Sequence, residues 1–225
     1  METKENIIIN NKPCFLYETA NPTSILIQAI DEHDLEVLDS EVAKIRELSN
    51  EKFILLAFLV DNWNDDLSPW DAPAVFGNEN FGGKADKTLE YVENDLLLYL
   101  KEKYGSDKKL YIGGYSLSAL FALWACYNTD IFDGVVVASP SLWFPGFIKF
   151  ARDNDIKVSK MYLSLGNKEE KTKNKIMATV GDNIRKYYDM LREDATKNVI
   201  LEWNEGNHFI DLDLRIAKGF ARIIN

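Results

Sequence analysis

Three features of this chain have residue types and an order that could do chemistry: Ser116 at a strand-to-helix junction, the glutamates of the loop at 167–170 (NKEE), and His208 in a Gly/Asn loop. A serine hydroxyl is a poor nucleophile by itself, so it must stand exposed beside a base and near backbone N–H donors. Residues 109–125 (KLYIGGYSLSALFALWA) run from an apolar strand through glycines into an apolar helix. A sharp turn there would lift Ser116 above a sheet and aim the first helical N–H groups into the same space. Small residues two places before and after the serine are needed where strand and helix approach closely. Gly114 fills the first place and Ser118 the second, so the pattern reads GxSxS. An ordinary Gly-Gly turn with Ser116 as a helix cap would explain the same residues.

His208 (WNEGNHF, 203–209) follows a predicted strand and precedes the last predicted helix. Such a histidine could take the serine's proton, and a carboxylate could hold its tautomer and stabilise its cation. That acid belongs in the loop after the strand at 160–165. Glu169 is the first choice, Glu170 its nearest rival, and Asp182 a weaker one because it falls inside a helical pattern. The other histidine, His33, lies upstream in the acidic run 31–34 and is expected in a solvated loop.

These residues need elements to position them. Short apolar and β-branched runs predict strands at 6–9, 15–17, 24–30, 52–60, 109–113, 134–139, 160–165 and 199–203. The later ones are nearly continuous apolar runs, the pattern of strands buried on both faces of a parallel sheet. Helical stripes lie between them: Leu89, Val92, Leu96, Leu100 and Tyr104; Ile176, Val180, Ile184, Tyr188 and Leu191; Leu212, Ile216, Phe220 and Ile223. The strand–helix alternation after Lys52 predicts parallel strands joined by crossover helices, with chemistry at the strands' carboxyl ends.

Composition narrows the function. The chain has 225 residues, 26 basic against 36 acidic, and a net charge of −10, which argues against a nucleic-acid partner. Two cysteines (Cys14, Cys126) and two histidines leave almost no material for a Cys/His zinc site, whose structural forms need four such ligands. Cys126 is expected to be a small core residue. The start METKENIII lacks the basic region and long apolar core of a secretory signal. The longest apolar stretch, 53–60, is far short of the roughly 18 residues needed to span a bilayer. A soluble cytoplasmic protein with no membrane partner is the expectation. The segment 77–84 (GNENFGGK) looks phosphate-binding, but Asn78 and Ala85 stand where a P-loop requires Gly and Ser/Thr. The pairs Asp65–Asp66 and Asp211/Asp213 read as acidic surface.

Residues 60–70 (VDNWNDDLSPW), 113–118 (GGYSLS), 138–143 (ASPSLW), 165–169 (LGNKE) and 206–209 (GNHF) together resemble the α/β-hydrolase superfamily. Within it they resemble esterases related to enterochelin esterases and S-formylglutathione hydrolases. The resemblance implies an α/β-hydrolase fold: one domain over 1–225, with a mostly parallel central sheet between helices on both faces, a three-layer α/β/α sandwich. It also implies Ser116 as nucleophile, His208 as base and Glu169 as acid; that mechanism requires no cofactor, and composition argues against a His/Cys metal site while leaving a carboxylate site for calcium or magnesium open. Ser118 departs from the usual glycine and Glu169 from the aspartate of many relatives. The oxyanion would be held by the N–H of Leu117 and another from the turn after Val60, at Asn62 or Trp63.

Trp63, Trp70, Trp143 and Phe209 are expected to wall a pocket for a small ester. Packing of large loops on the sheet is the plainer account of any one of them. The expected activity is carboxylic ester hydrolysis through an acyl-enzyme. Thioesterase, peptidase or acyltransferase chemistry on the same residues, or a non-catalytic binding protein of this fold, are the alternatives. The sequence does not specify the oligomeric state.

Overall fold

The computed structural model describes residues 3–225. Eight strands form the main sheet: β1 (Thr3–Ile9), β2 (Lys12–Glu18), β3 (Ser24–Ile30), β4 (Phe53–Leu59), β7 (Lys109–Tyr115), β8 (Gly134–Ala138), β9 (Lys160–Gly166) and β10 (Asn198–Asn204). Two-residue strands β5 (Asp71–Ala72) and β6 (Phe81–Gly82) pair separately in a small hairpin. The order across the main sheet is β1-β2-β4-β3-β7-β8-β9-β10. From β4 to β10 every pairing is parallel, while β2 is antiparallel to β1 and β4. This is the α/β-hydrolase arrangement, a mostly parallel sheet with helices around it.

Six of the eight predicted strands fall within two residues of the observed bounds, while 6–9 and 15–17 lie inside the longer β1 and β2. Strands β3, β4 and β8 are buried at nearly every position, as expected of strands covered on both faces. One face is covered by α1 (Glu32–Leu48) and α8 (Leu212–Ile224). The other carries α3 (Ala85–Tyr91), α4 (Leu97–Tyr104), α5 (Leu117–Asn128), α6 (Phe147–Asp153) and α7 (Val180–Arg192); the short α2 (Trp63–Asp66) lies in the loop after β4. A π-helical turn, Val92–Leu96, joins α3 to α4. Helix α5 is buried on all sides, which explains its unbroken apolar sequence. Among the described residues no helix is long and apolar enough to cross a membrane.

Two expectations change. His33 is exposed, but it stands in the first turn of α1 rather than in a loop. That turn is closed by a capping box in which Asp31 accepts from the Asp34 N–H at 2.8 Å and the Asp34 carboxylate accepts from the Asp31 N–H. An Asp…Asp box in an acidic run resembles solvated loop, and it hides the helix start. In α7 the buried stripe is Val180, Ile184, Tyr187 and Leu191. Ile176 precedes the helix and is exposed, and Tyr187 takes the inward place expected for Tyr188. Cys126 is fully buried, and burial pushes its thiol pKa up.

Candidate active site

Ser116 stands between β7 and α5 with φ 58° and ψ −117°. A residue with a Cβ avoids that conformation, and holding it costs about 1–3 kcal/mol, so the surrounding structure must enforce it. The enforcement is visible. Ser116 N–H donates to Ala138 O at 3.1 Å, and Ser116 O accepts from the N–H groups of Ser141 (3.0 Å) and Leu120 (3.2 Å). A Cβ on Gly114 would lie 2.2 Å from Ser118 Oγ and 2.6 Å from the Ser118 carbonyl carbon, so only glycine fits there.

Ser118, the departure from the usual pattern, is accommodated. It is buried, and its hydroxyl donates to Ala29 O at the end of β3 at 2.7 Å. The Ser116 hydroxyl lies 3.4 Å from Ser141 Oγ. Among the described residues it makes no hydrogen bond to His208.

His208 and Glu169 do meet. Nδ1 of His208 lies 2.7 Å from Glu169 Oε2; the histidine side chain is 25% exposed and the glutamate 4%. The other glutamate oxygen, Oε1, accepts from Gly166 N–H (2.7 Å), Ser139 Oγ (2.8 Å) and Arg215 Nη1 (2.9 Å). Burial alone would raise the Glu169 pKa. The His208 hydrogen bond and charge, with the Gly166 and Ser139 donors, outweigh burial and hold it below the usual carboxylate range. His208 is tied to the serine turn through Tyr115, the residue before Ser116. The Tyr115 hydroxyl donates to His208 O at 2.8 Å, and the two rings are 5.2 Å apart. Burial, with the nearby Glu169 charge, pushes the Tyr115 pKa up to about 12, so it remains a neutral donor.

The rival acids lie elsewhere. Glu170 forms an ion pair with Arg185 at 2.8 Å, and Asp182 is an exposed carboxylate 3.6 Å from the same guanidinium.

Sequence reasoning missed Arg215. It is 1% exposed on α8, and its guanidinium reaches Tyr115 Oη (3.1 Å), Ser139 Oγ (3.1 Å), Glu169 Oε1, Glu205 O (2.8 Å) and Asn207 O (2.9 Å). One side chain thus binds the acid and the loop that carries His208. Gly166 makes room for it, since a Cβ there would stand 2.9 Å from both Nη atoms. An arginine in a stripe otherwise read from Leu212, Ile216, Phe220 and Ile223 carries no sequence mark of burial.

Ser139, also missed, has φ 46°. Its only trace was its place in the ASPSLW stretch.

The turn expected to face Ser116 is not the one beside it. Asn62 N–H already donates to Asp66 Oδ2 at 3.0 Å, and Asn62 and Trp63 follow β4, one strand removed from β7. The strand beside β7 is β3, so the turn that flanks Ser116 is 31–32. Glu32 opens α1 and Leu117 opens α5, and N–H groups at first helical positions have no intrahelical acceptor.

A cavity of about 460 Å³ adjoins His208 and Glu169, with Trp143 and Phe209 among its walls. Trp63 and Trp70 do not line it. Trp70 donates its indole N–H to Pro145 O at 2.9 Å and packs against Phe144 and Phe150. Trp63 packs half-buried against the core. In the glycine-rich segment at 77–84, Lys84 is held by Asp65 at 2.8 Å.

No curated protein matches the chain. Among solved structures it is similar to an IroE-like serine hydrolase from Shewanella oneidensis, with a TM-score of 0.81, 14% identity, and coverage of 99% of this chain and 79% of that one. It is also similar to the siderophore hydrolase EstA from Aspergillus nidulans (TM-score 0.74, 16% identity, 100% and 94% covered). A third is the Pyrococcus furiosus esterase Pf2001 (TM-score 0.61, 14% identity, 100% and 92% covered). At such identities these likenesses establish the fold. The family model of the esterases, described as "Putative esterase", matches residues 43–204, most of the chain and the span from α1 through Ser116 and Glu169 to the end of β10. The chain therefore belongs to this esterase family, and it is a carboxylic ester hydrolase.

Proposed function

We propose that ester hydrolysis proceeds through an acyl-enzyme on Ser116, with His208 as general base and then general acid, and Glu169 orienting the imidazole. The observation that carries this reading is the strained Ser116 turn, because a costly backbone conformation persists at a site where it serves a purpose. The His208–Glu169 contact supports it. With Nδ1–H donated to Glu169, the lone pair of Nε2 is left to accept the serine proton.

In this reading the Ser116 hydroxyl turns from Ser141 toward Nε2 when substrate binds. Oγ attacks the ester carbonyl and its proton passes to His208. The oxyanion that forms accepts from the N–H groups of Leu117 and Glu32. His208 returns the proton to the leaving alcohol, then activates the water that releases the acid. Each oxyanion donor contributes about 2.7–4 kcal/mol to such a transition state. The substrate is a small ester, matched to the cavity beside His208.

The test is 4-nitrophenyl acetate hydrolysis by Ser116→Ala. The expected loss in kcat is about 10⁴-fold or more. Retention of more than a tenth of the wild-type rate would overturn the assignment of Ser116.

A further inference from the structure

The cavity beside His208 has an unusual rim for an acidic protein. Its lining combines the apolar Pro140, Trp143, Met177, Val180 and Phe209 with Lys168, Lys171 and Lys173. These three exposed lysines fall within six residues of one loop, in a chain whose net charge is −10. Elsewhere Lys4, Lys84, Lys87, Lys103 and Lys149 are matched with carboxylates, whereas Lys52, Lys101, Lys109 and Lys175 are exposed with no ion pair among the described residues, so it is the convergence of three such lysines on one cavity that sets this loop apart.

Among the described residues no carboxylate lies within ion-pair distance of Lys168, Lys171 or Lys173. The two acids of the same loop are engaged elsewhere, Glu169 by His208 and Arg215 and Glu170 by Arg185. The cavity lining thus carries three ammonium groups and one carboxylate, the buried Glu169, in a molecule whose net charge is negative.

We propose that the physiological substrate is an ester carrying an anionic group, a carboxylate or comparable acid, which the ammonium groups of Lys168, Lys171 and Lys173 bind while Trp143 and Phe209 cover its apolar part. This rests on the reading of Ser116 and His208 as the reacting pair, and it names the class of ester they act on. The acid sits on the acyl or on the alcohol portion. An exposed ammonium–carboxylate contact contributes up to about fivefold in binding, and several converging on one group contribute about tenfold or more at low salt. The preference fades at 1 M salt, where the screening length is about 3 Å.

The experiment compares kcat/KM within two matched pairs. Mono-4-nitrophenyl adipate against 4-nitrophenyl hexanoate places the charge on the acyl side; 4-acetoxybenzoate against 4-methylphenyl acetate places it on the alcohol side. The readout is the anionic-to-neutral ratio, which general damage to the enzyme does not move. A ratio of about ten or more is expected in one pair, and the pair that shows it locates the acid. That ratio should collapse toward one in Lys168→Gln/Lys171→Gln/Lys173→Gln. It should persist in Lys52→Gln/Lys109→Gln/Lys160→Gln, which removes equal charge at the opposite end of the sheet.

Ratios of one or less in both pairs, or a preference that survives the first triple substitution, would overturn the proposal. Calorimetric titration of 4-acetoxybenzoate and mono-4-nitrophenyl adipate into Ser116→Ala keeps the test independent of turnover. Binding of either that is lost with the three lysines supports the anion site even if the assigned nucleophile is wrong. Absence of binding by both contradicts it.

Discussion

Arg215→Met removes the guanidinium while keeping most of the side-chain volume. Five hydrogen bonds go with it: one to Glu169, two to Tyr115 and Ser139, and two to the carbonyls of Glu205 and Asn207 that shape the His208 loop. Breaking a buried ion pair from one side costs about 3–5 kcal/mol, and the loss belongs at the lower end of that range because Glu169 keeps His208, Gly166 and Ser139 as partners. For a chain of this size the full range corresponds to a fall of about 6–20 °C in Tm.

The sign of the pH dependence follows from Glu169. Its folded pKa is lowered, so in the wild type its contribution is present above the ordinary carboxylate pKa and is lost as pH falls through the folded value. In the variant the carboxylate has lost its cation and takes up a proton at a higher pH. The gap between variant and wild type is then largest near pH 7 and narrows toward pH 4. Urea unfolding at both pH values measures it, and kcat should fall with little change in KM because the histidine loop loses its anchor. A loss below about 1 kcal/mol, or one of equal size at both pH values, would mean that Arg215 only fills space and would refute this reasoning.

Other consequences can be measured with the same tools. Glu169→Ala should lower kcat by about 10³–10⁴-fold, while Glu170→Ala, which loses only an outer ion pair with Arg185, should change it less than about threefold. Ser118→Gly should keep its activity and lose about 1–2 kcal/mol, from the Ala29 hydrogen bond and the helix cost of glycine; Gly114→Ala, meeting Ser118 at 2.2 Å, should abolish activity or folding. Glu41 is buried on α1 against Gln28 of β3, with Oε1 unpartnered among the described residues and burial raising its pKa well above the carboxylate range. A raised carboxyl is stability-neutral below its unfolded value and destabilises as pH rises toward the folded one. Glu41→Gln should therefore be more stable than wild type at pH 8, by about 1–3 kcal/mol, with the difference vanishing near pH 4.

The elements that bear chemistry were the legible ones, for physical reasons. Parallel strands buried on both faces must be apolar throughout, so β7, β8 and β9 stood out, and the loops at their carboxyl ends followed. The Ser116 turn was legible because close strand–helix approach restricts Gly114. Glu169 could be named ahead of Glu170 only by its distance from Gly166, and the geometry that separates them, His208 on one and Arg185 on the other, is tertiary.

What could not be read was set by partners distant in sequence. Arg215 looks like any helical arginine until Glu169 and Gly166 are brought against it. Helix α1 is masked by its charge, because only one narrow stripe faces the sheet. Trp63 and Trp70 were drawn to the pocket by their nearness in sequence to the chemistry, whereas Trp70 is held by Pro145 and packs against Phe144 and Phe150. The turn proposed to hold the second oxyanion donor depends on strand order, which places β3 rather than β4 beside β7.

The central claim is that Ser116 is the activated nucleophile, and covalent labelling tests it most directly. The native protein is treated with a fluorophosphonate and the adduct is located by peptide mass spectrometry. The expected result is one stoichiometric adduct on Ser116, formed slowly or not at all in His208→Ala and absent from urea-unfolded protein. An unlabelled Ser116 in active enzyme, or labelling that proceeds equally fast without His208, would contradict it.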